Sequence, residues 1–155
     1  MGKVARFLDL APRDRWLVLE ASALLMAARA ALYVVPFRWV ARVVSRPPAA
    51  RKIDEAASRE LVGHVRRAVI VGARHGVGRA VCFPQAIAAQ LMLARRGVAS
   101  TLHFGVAKSA AGEIEAHVWV RAGAAPVVGC EIAERFAPMV SFPRTAEPSP
   151  AEPAR

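Results

Sequence analysis

What this 155-residue chain has little of limits its reading first. It holds two cysteines, Cys82 and Cys130, in unrelated contexts, so no disulfide framework is encoded and no CxxC pair offers a zinc or redox site. A reducing cytosol is the simplest setting. Aromatics are scarce: six phenylalanines, three tryptophans and a single tyrosine, Tyr33. No compact basic run is interleaved with them, which leaves specific nucleic-acid readout unsignalled. No uninterrupted apolar run reaches the roughly 18 residues of a membrane span, because Glu20 and Arg29 break the longest one. The first eleven residues lack the apolar core and small-residue cleavage site of a signal peptide. Acids are few, and no aspartate follows Asp54.

What is present describes one domain, long enough to bury a core without disulfides or metal, with 55 % hydrophobic and 22 % charged residues. Twenty-two Lys and Arg against 12 Asp and Glu give a net charge of +10. That surplus favours an acidic partner, whether nucleic acid, an anionic membrane surface or an acidic polypeptide, or it is simply a solvated arginine-rich surface.

Along the chain, the first long helix is expected from Pro12 towards Pro36, as a core helix or one docked on a partner or membrane. A second, short helix starts at Pro36 and ends at Arg46-Pro47-Pro48. Ile53, Ala57, Leu61, Val65 and Ala68 recur at helical spacing over residues 53–74, with His64 on the helix surface. A helix from Pro84 to Arg96 places Ile87, Ala88 and Leu91 on one face, and Gly97 stops it. Strands follow over 100–106 and 114–121, a tight connection at Gly123 to Pro126, and a return strand over 127–132 antiparallel to the second. Residues 133–136 read as a turn or short helix, and 139–142 as a last strand. This predicts an α+β domain over residues 1–142, a helical front half to residue 75 followed by a helix on a small antiparallel sheet, and a disordered proline-rich tail over 143–155.

The chemistry converges on Cys82. Pro84 suits the first turn of a helix, so Cys82 lies at the positive end of that helix, where unpaired amides favour an anionic sulfur. The plainer alternative is a buried structural thiol. A second stretch, Glu115-Ala116-His117-Val118-Trp119-Val120, supplies a histidine on an alternating strand, with His117 and Trp119 on one face. A cysteine opening a helix and a histidine on a later strand are the halves of a thiol–imidazole pair. His103 on the preceding strand competes for the role of base. Neither spacing nor composition asks for a metal or cofactor.

One motif misleads. Ile70-Val71-Gly72 through Gly76-Val77-Gly78 looks like the strand and glycine turn of a short-chain dehydrogenase. Too little chain remains after Gly78 for the βα units that fold needs, and Tyr33 lies far upstream of where its catalytic tyrosine would stand.

The run CFPQAIAAQLMLARRGVASTLHFGVAK, followed by EAHVWVRAG, VVGCE and ERFAP, resembles the lasso-peptide leader peptidase family, transglutaminase-like cysteine proteases related to the C-terminal part of the microcin J-processing protein. The opening FLDLAPRDRWLVLEA is similar to the helical front half of free-standing members. The resemblance implies a papain-like arrangement on a transglutaminase-like core, with Cys82 attacking a leader-peptide amide and His117 taking and returning the proton. It also implies a small leader-recognition protein as partner, an ATP-dependent lasso cyclase acting next, and no cofactor. Members carry an aspartate on the strand after the histidine; this chain has none there. Glu131 is the nearest acid that would substitute, or it is a strand-end surface charge. Glu113 and Glu115 are further options for the acid, the Cys82 amide and Gln85 for the oxyanion hole, and Cys130 reads as a core thiol. The expected site is Cys82, His117 and Glu131; the expected location is the cytoplasm, with peripheral membrane contact through the first two helices left open. A non-catalytic transglutaminase-like scaffold in the same maturation complex is the alternative.

Overall fold

Prolines set where the first two helices begin and end. Pro12, with no N–H to leave unpaired, opens α1 (Pro12–Val34), and Asp14 in the first turn complements the helix dipole. Val35 is forced into extended backbone (φ −103°, ψ 132°) because Pro36 follows it, which ends the helix. α2 (Phe37–Val44) starts directly after Pro36. The computed structural model of the chain describes residues 9–46, 54–75 and 82–144. The loop expected at Pro47-Pro48, the turn through Gly76 and Gly78, and the tail beyond Arg144 lie outside these residues.

α3 (Glu55–His75) is helical through Ile70, Val71 and Gly72, so the dehydrogenase-like strand is not formed. Gly72 instead marks the crossing with α1, where an added Cβ would stand 3.1 Å from the Ser22 hydroxyl and 3.2 Å from the Leu25 side chain. Across the same interface His64 bridges Asp14 (2.8 Å) and Glu60 (3.3 Å), and Asp14 belongs to α1.

α4 (Cys82–Arg95) runs from the candidate nucleophile to a glycine stop. Gly97 adopts φ +79°, and the amides of Gly97 and Val98 reach back to the carbonyls of Ala94 (3.1 Å) and Leu93 (3.0 Å), which satisfies the last turn. The sequence places the apolar residues of this helix on one face. The structure buries it on nearly every side, from Ala86 to Gln90 and from Met92 to Ala94, because α1 and α3 pack on one flank and the sheet on the other. Its alanines let all of these neighbours approach closely. Gln90, fully buried, donates to the Phe142 carbonyl (2.9 Å) and, more weakly, to that of Ser100 (3.4 Å).

The sheet contains β1 (Ser100–Lys108), β2 (Ile114–Ala122), β3 (Ala125–Val128) and β4 (Ala137–Arg144), all antiparallel in the order β3-β2-β1-β4. Gly123, at φ +57°, makes the β2–β3 turn. Leu102, Val118, Val120 and Val127 face the main core with α4, while Trp119 joins Ala133 and Phe136 in a smaller cluster. Two expectations are corrected. The return strand does not reach residue 132: Gly129 turns left-handed (φ 71°) and sends the chain into a 3-10 helix, Cys130–Arg135. Pro143 and Arg144, expected in the tail, are part of β4 and pair with Thr101 and Ser100.

Candidate active site

Cys82 is the first residue of α4, half-buried and not in a disulfide. Pro84 stands within the first turn, where an N–H would find no helical acceptor, so the sequence Cys-Phe-Pro itself dictates a helix start at the thiol. Cys82 and Phe83 pack against the main core, and the Phe83 ring stacks on Phe37 of α2 at 5.9 Å.

His117 sits on β2 and is 9 % exposed. Strand alternation places it on the side of Trp119, whose ring it stacks against (6.0 Å), and the Phe136 ring closes over it at 5.0 Å. Its Nε2 lies 2.7 Å from the Gly129 carbonyl oxygen. A carbonyl only accepts, so Nε2 carries a proton; in the neutral imidazole the lone pair that a general base needs is then on Nδ1. Val118 and Val120, alternating with this row, point into the core against which Cys82 packs. Among the described residues no hydrogen bond joins the thiol to the imidazole, so the thiol–imidazole pair is not assembled in this conformation.

Glu131 is placed by the 3-10 helix rather than by a strand, and its carboxylate meets Arg66 of α3 at 2.9 Å. The acceptor beside the imidazole is the Gly129 carbonyl, two residues earlier. Glu115 pairs with Arg135 (3.3 Å), and the Glu113 amide donates to the Ser109 hydroxyl (3.1 Å) in the β1–β2 turn. Gln85 lies in the first turn of α4, three residues after Cys82.

His103, the competing base, is opposite Trp119 in the β1–β2 register, stacks on it at 5.4 Å and has its Nδ1 2.9 Å from the Ser141 hydroxyl. Burial, and then the charge of Arg121, push its pKa below the usual imidazole range, so it is neutral at pH 7. Cys130 donates to the Val120 carbonyl (3.2 Å) and packs beside the Trp119 cluster, and burial raises its thiol pKa, as suits a core thiol. Among the described residues no three of His, Cys, Asp and Glu converge on a metal site.

Two contributors are invisible to motif reading. Gly129 is needed twice over, for its left-handed φ and because an added Cβ would stand 2.5 Å from the Val118 carbonyl and 3.3 Å from His117 Nε2. Phe136 covers the imidazole from the end of the 3-10 helix. Val-Val-Gly fits a continuing strand as well as a turn, and nothing local marked Phe136.

Compared with known proteins, residues 22–141 match the family described as the transglutaminase-like superfamily, from the middle of α1 into β4. No curated protein and no solved structure matches the chain.

Proposed function

We propose that this chain, which belongs to the transglutaminase-like superfamily, is a cysteine peptidase that removes the leader from a lasso-peptide precursor. The observation that carries this reading is Cys82, an unbridged thiol at the first residue of the central helix of such a domain. In the reaction, Cys82 Sγ attacks the scissile carbonyl and His117 takes the thiol proton. The imidazolium then protonates the departing amine, leaving a thioester, and water hydrolyses that thioester to free the acid and regenerate the thiol. The Nε2–H···O=C bond to Gly129 holds the tautomer in which Nδ1 is the base, a part of the role expected of an acid. Amides at the start of α4 are the natural donors to the oxyanion. β2 turns His117 away from the core that holds Cys82, so the reaction requires a rearrangement of the residues around the imidazole that brings Nδ1 to Sγ.

Leader removal rests on the resemblance of the Cys-Phe-Pro-Gln-Ala and Ala-His-Val-Trp-Val stretches together with the domain match. A small leader-recognition protein and an ATP-dependent cyclase would be its partners, in the cytoplasm. The second reading, a non-catalytic scaffold in the same complex, is favoured by one observation: His117 is enclosed by Trp119, Phe136 and Gly129, with no hydrogen bond to a thiol or carboxylate among the described residues. Mass spectrometry of the precursor incubated with its leader-binding partner and either the native chain or Cys82→Ala separates the two. A leader fragment from the native chain alone supports the peptidase. Release by both chains, or by neither while partner binding persists, supports the scaffold.

A further inference from the structure

α1 is apolar on two opposite sides. Leu17, Ala21, Leu25 and Ala28 are buried against the rest of the domain. On the other side Trp16, Leu19, Ala23, Met26, Ala30 and Tyr33 follow one another at steps of three or four residues, and all are exposed, Trp16 at 73 % and Tyr33 at 82 %. By length and composition α1 is apolar enough to cross a membrane, yet only 28 % of its most apolar window is buried. Because its inner side packs on α3 and α4, α1 is not placed to be surrounded by lipid, and its outer stripe is the side that faces outward. The stripe continues into a groove between α1 and α2 lined by Ala27, Ala31, Val35, Trp39 and Val43.

Charge identifies that surface. No acidic residue occurs between Glu20 and Asp54, whereas Arg29, Arg38, Arg42 and Arg46 all lie in that interval. Arg38 and Arg42 are exposed, and the Arg42 guanidinium lies over the Trp39 ring at 4.8 Å. A second copy of the chain would set these cations against themselves. An apolar stripe with tryptophan and tyrosine at its ends and arginines along its margin fits the headgroup zone of an anionic bilayer.

We propose that the outer face of α1 and the exposed side of α2 dock on an anionic lipid bilayer, with α1 lying in the interface plane. Docking would place the Cys82 end of α4 near the membrane, because Phe83 stacks on Phe37 of α2. The proposal stands whether or not Cys82 is catalytic.

The test is co-sedimentation of the full chain with vesicles of phosphatidylcholine alone or mixed with phosphatidylglycerol. Binding is expected to the mixed vesicles, falling with salt. Arg38→Gln with Arg42→Gln should lower partitioning about thirtyfold, and Met26→Glu with Tyr33→Glu should abolish it, both variants keeping the native circular dichroism spectrum. Tryptophan quenching by bromine-labelled acyl chains should vanish when Trp16 and Trp39 are both replaced by Phe, since Trp119 is buried elsewhere. Absence of binding to the mixed vesicles overturns the proposal, as does binding unaffected by the glutamate pair. So does a solution dimer, dispersed by Met26→Glu, in a chain that ignores vesicles; an acidic helical peptide captured in place of vesicles does the same.

Discussion

His117 and Gly129 are locked together: the imidazole donates Nε2–H to the glycine carbonyl at 2.7 Å, and the glycine presents that carbonyl only by turning left-handed at φ 71°. Gly129→Ala adds a Cβ 2.5 Å from the Val118 carbonyl at a backbone angle that side chains disfavour. It should cost at least about 2 kcal/mol in denaturant unfolding and lower precursor cleavage more than stability alone explains, since the imidazole loses its anchor.

Cys82 is half-buried against the core without a hydrogen-bond partner among the described residues, so its sulfur contributes little to folding. Cys82→Ala should leave the unfolding free energy within about 1 kcal/mol of native while removing all leader release. A Tm fall of many degrees would mark the thiol as structural.

The third member of the site is open to a direct kinetic test. Because Glu131 is held by Arg66 at 2.9 Å and its side chain is 57 % exposed, Glu131→Gln should leave kcat near native. A fall of about a hundredfold, the scale of acid–base assistance, would assign the carboxylate to the imidazole in the working enzyme, and Arg66→Gln would then raise or preserve the rate.

Glu20 joins α1 to the end of α4, its two oxygens held by Arg96 (2.5 and 3.2 Å) and one also by Arg95 (2.9 Å). Burial works to raise its pKa, but the hydrogen bonds and charges of Arg96 and Arg95 together bring it below the usual carboxylate range. A depressed carboxylate pKa gives stability that is present above the unfolded value of about 4.3 and lost as pH falls through the lower folded value. Glu20→Gln should therefore cost about 1 kcal/mol at pH 7, and its unfolding curve should converge with the native one in acid.

How much of this was readable from the chain depends on whether local chemistry decided it. Pro12, Pro36, Pro84 and Gly97 fix helix ends through their own backbone geometry, and the alternation around His117 and Trp119 fixed their shared face. The departure of the chain from the sheet at Gly129 was not readable, because Val-Val-Gly-Cys-Glu-Ile continues an alternating pattern equally well and only the glycine's left-handed turn ends it. Alanine hid the all-round burial of α4, since it is at home in core and surface alike. The pairing of Glu131 with Arg66 joins residues far apart in sequence, which no periodicity encodes.

The buried amide of Gln90 has one more consequence. It lies about two helical turns beyond Cys82, and it fastens α4 to the last strand through the Phe142 carbonyl. Where Ala86, Ala88 and Ala89 face its neighbours, the helix has few ridges to stop it from turning about its axis. Gln90 acts as an index pin: it sets the rotational phase of the helix, and so the direction in which the sulfur at its tip points. Transplanting this helix into a related scaffold without the matching carbonyl would carry over the cysteine but not its aim.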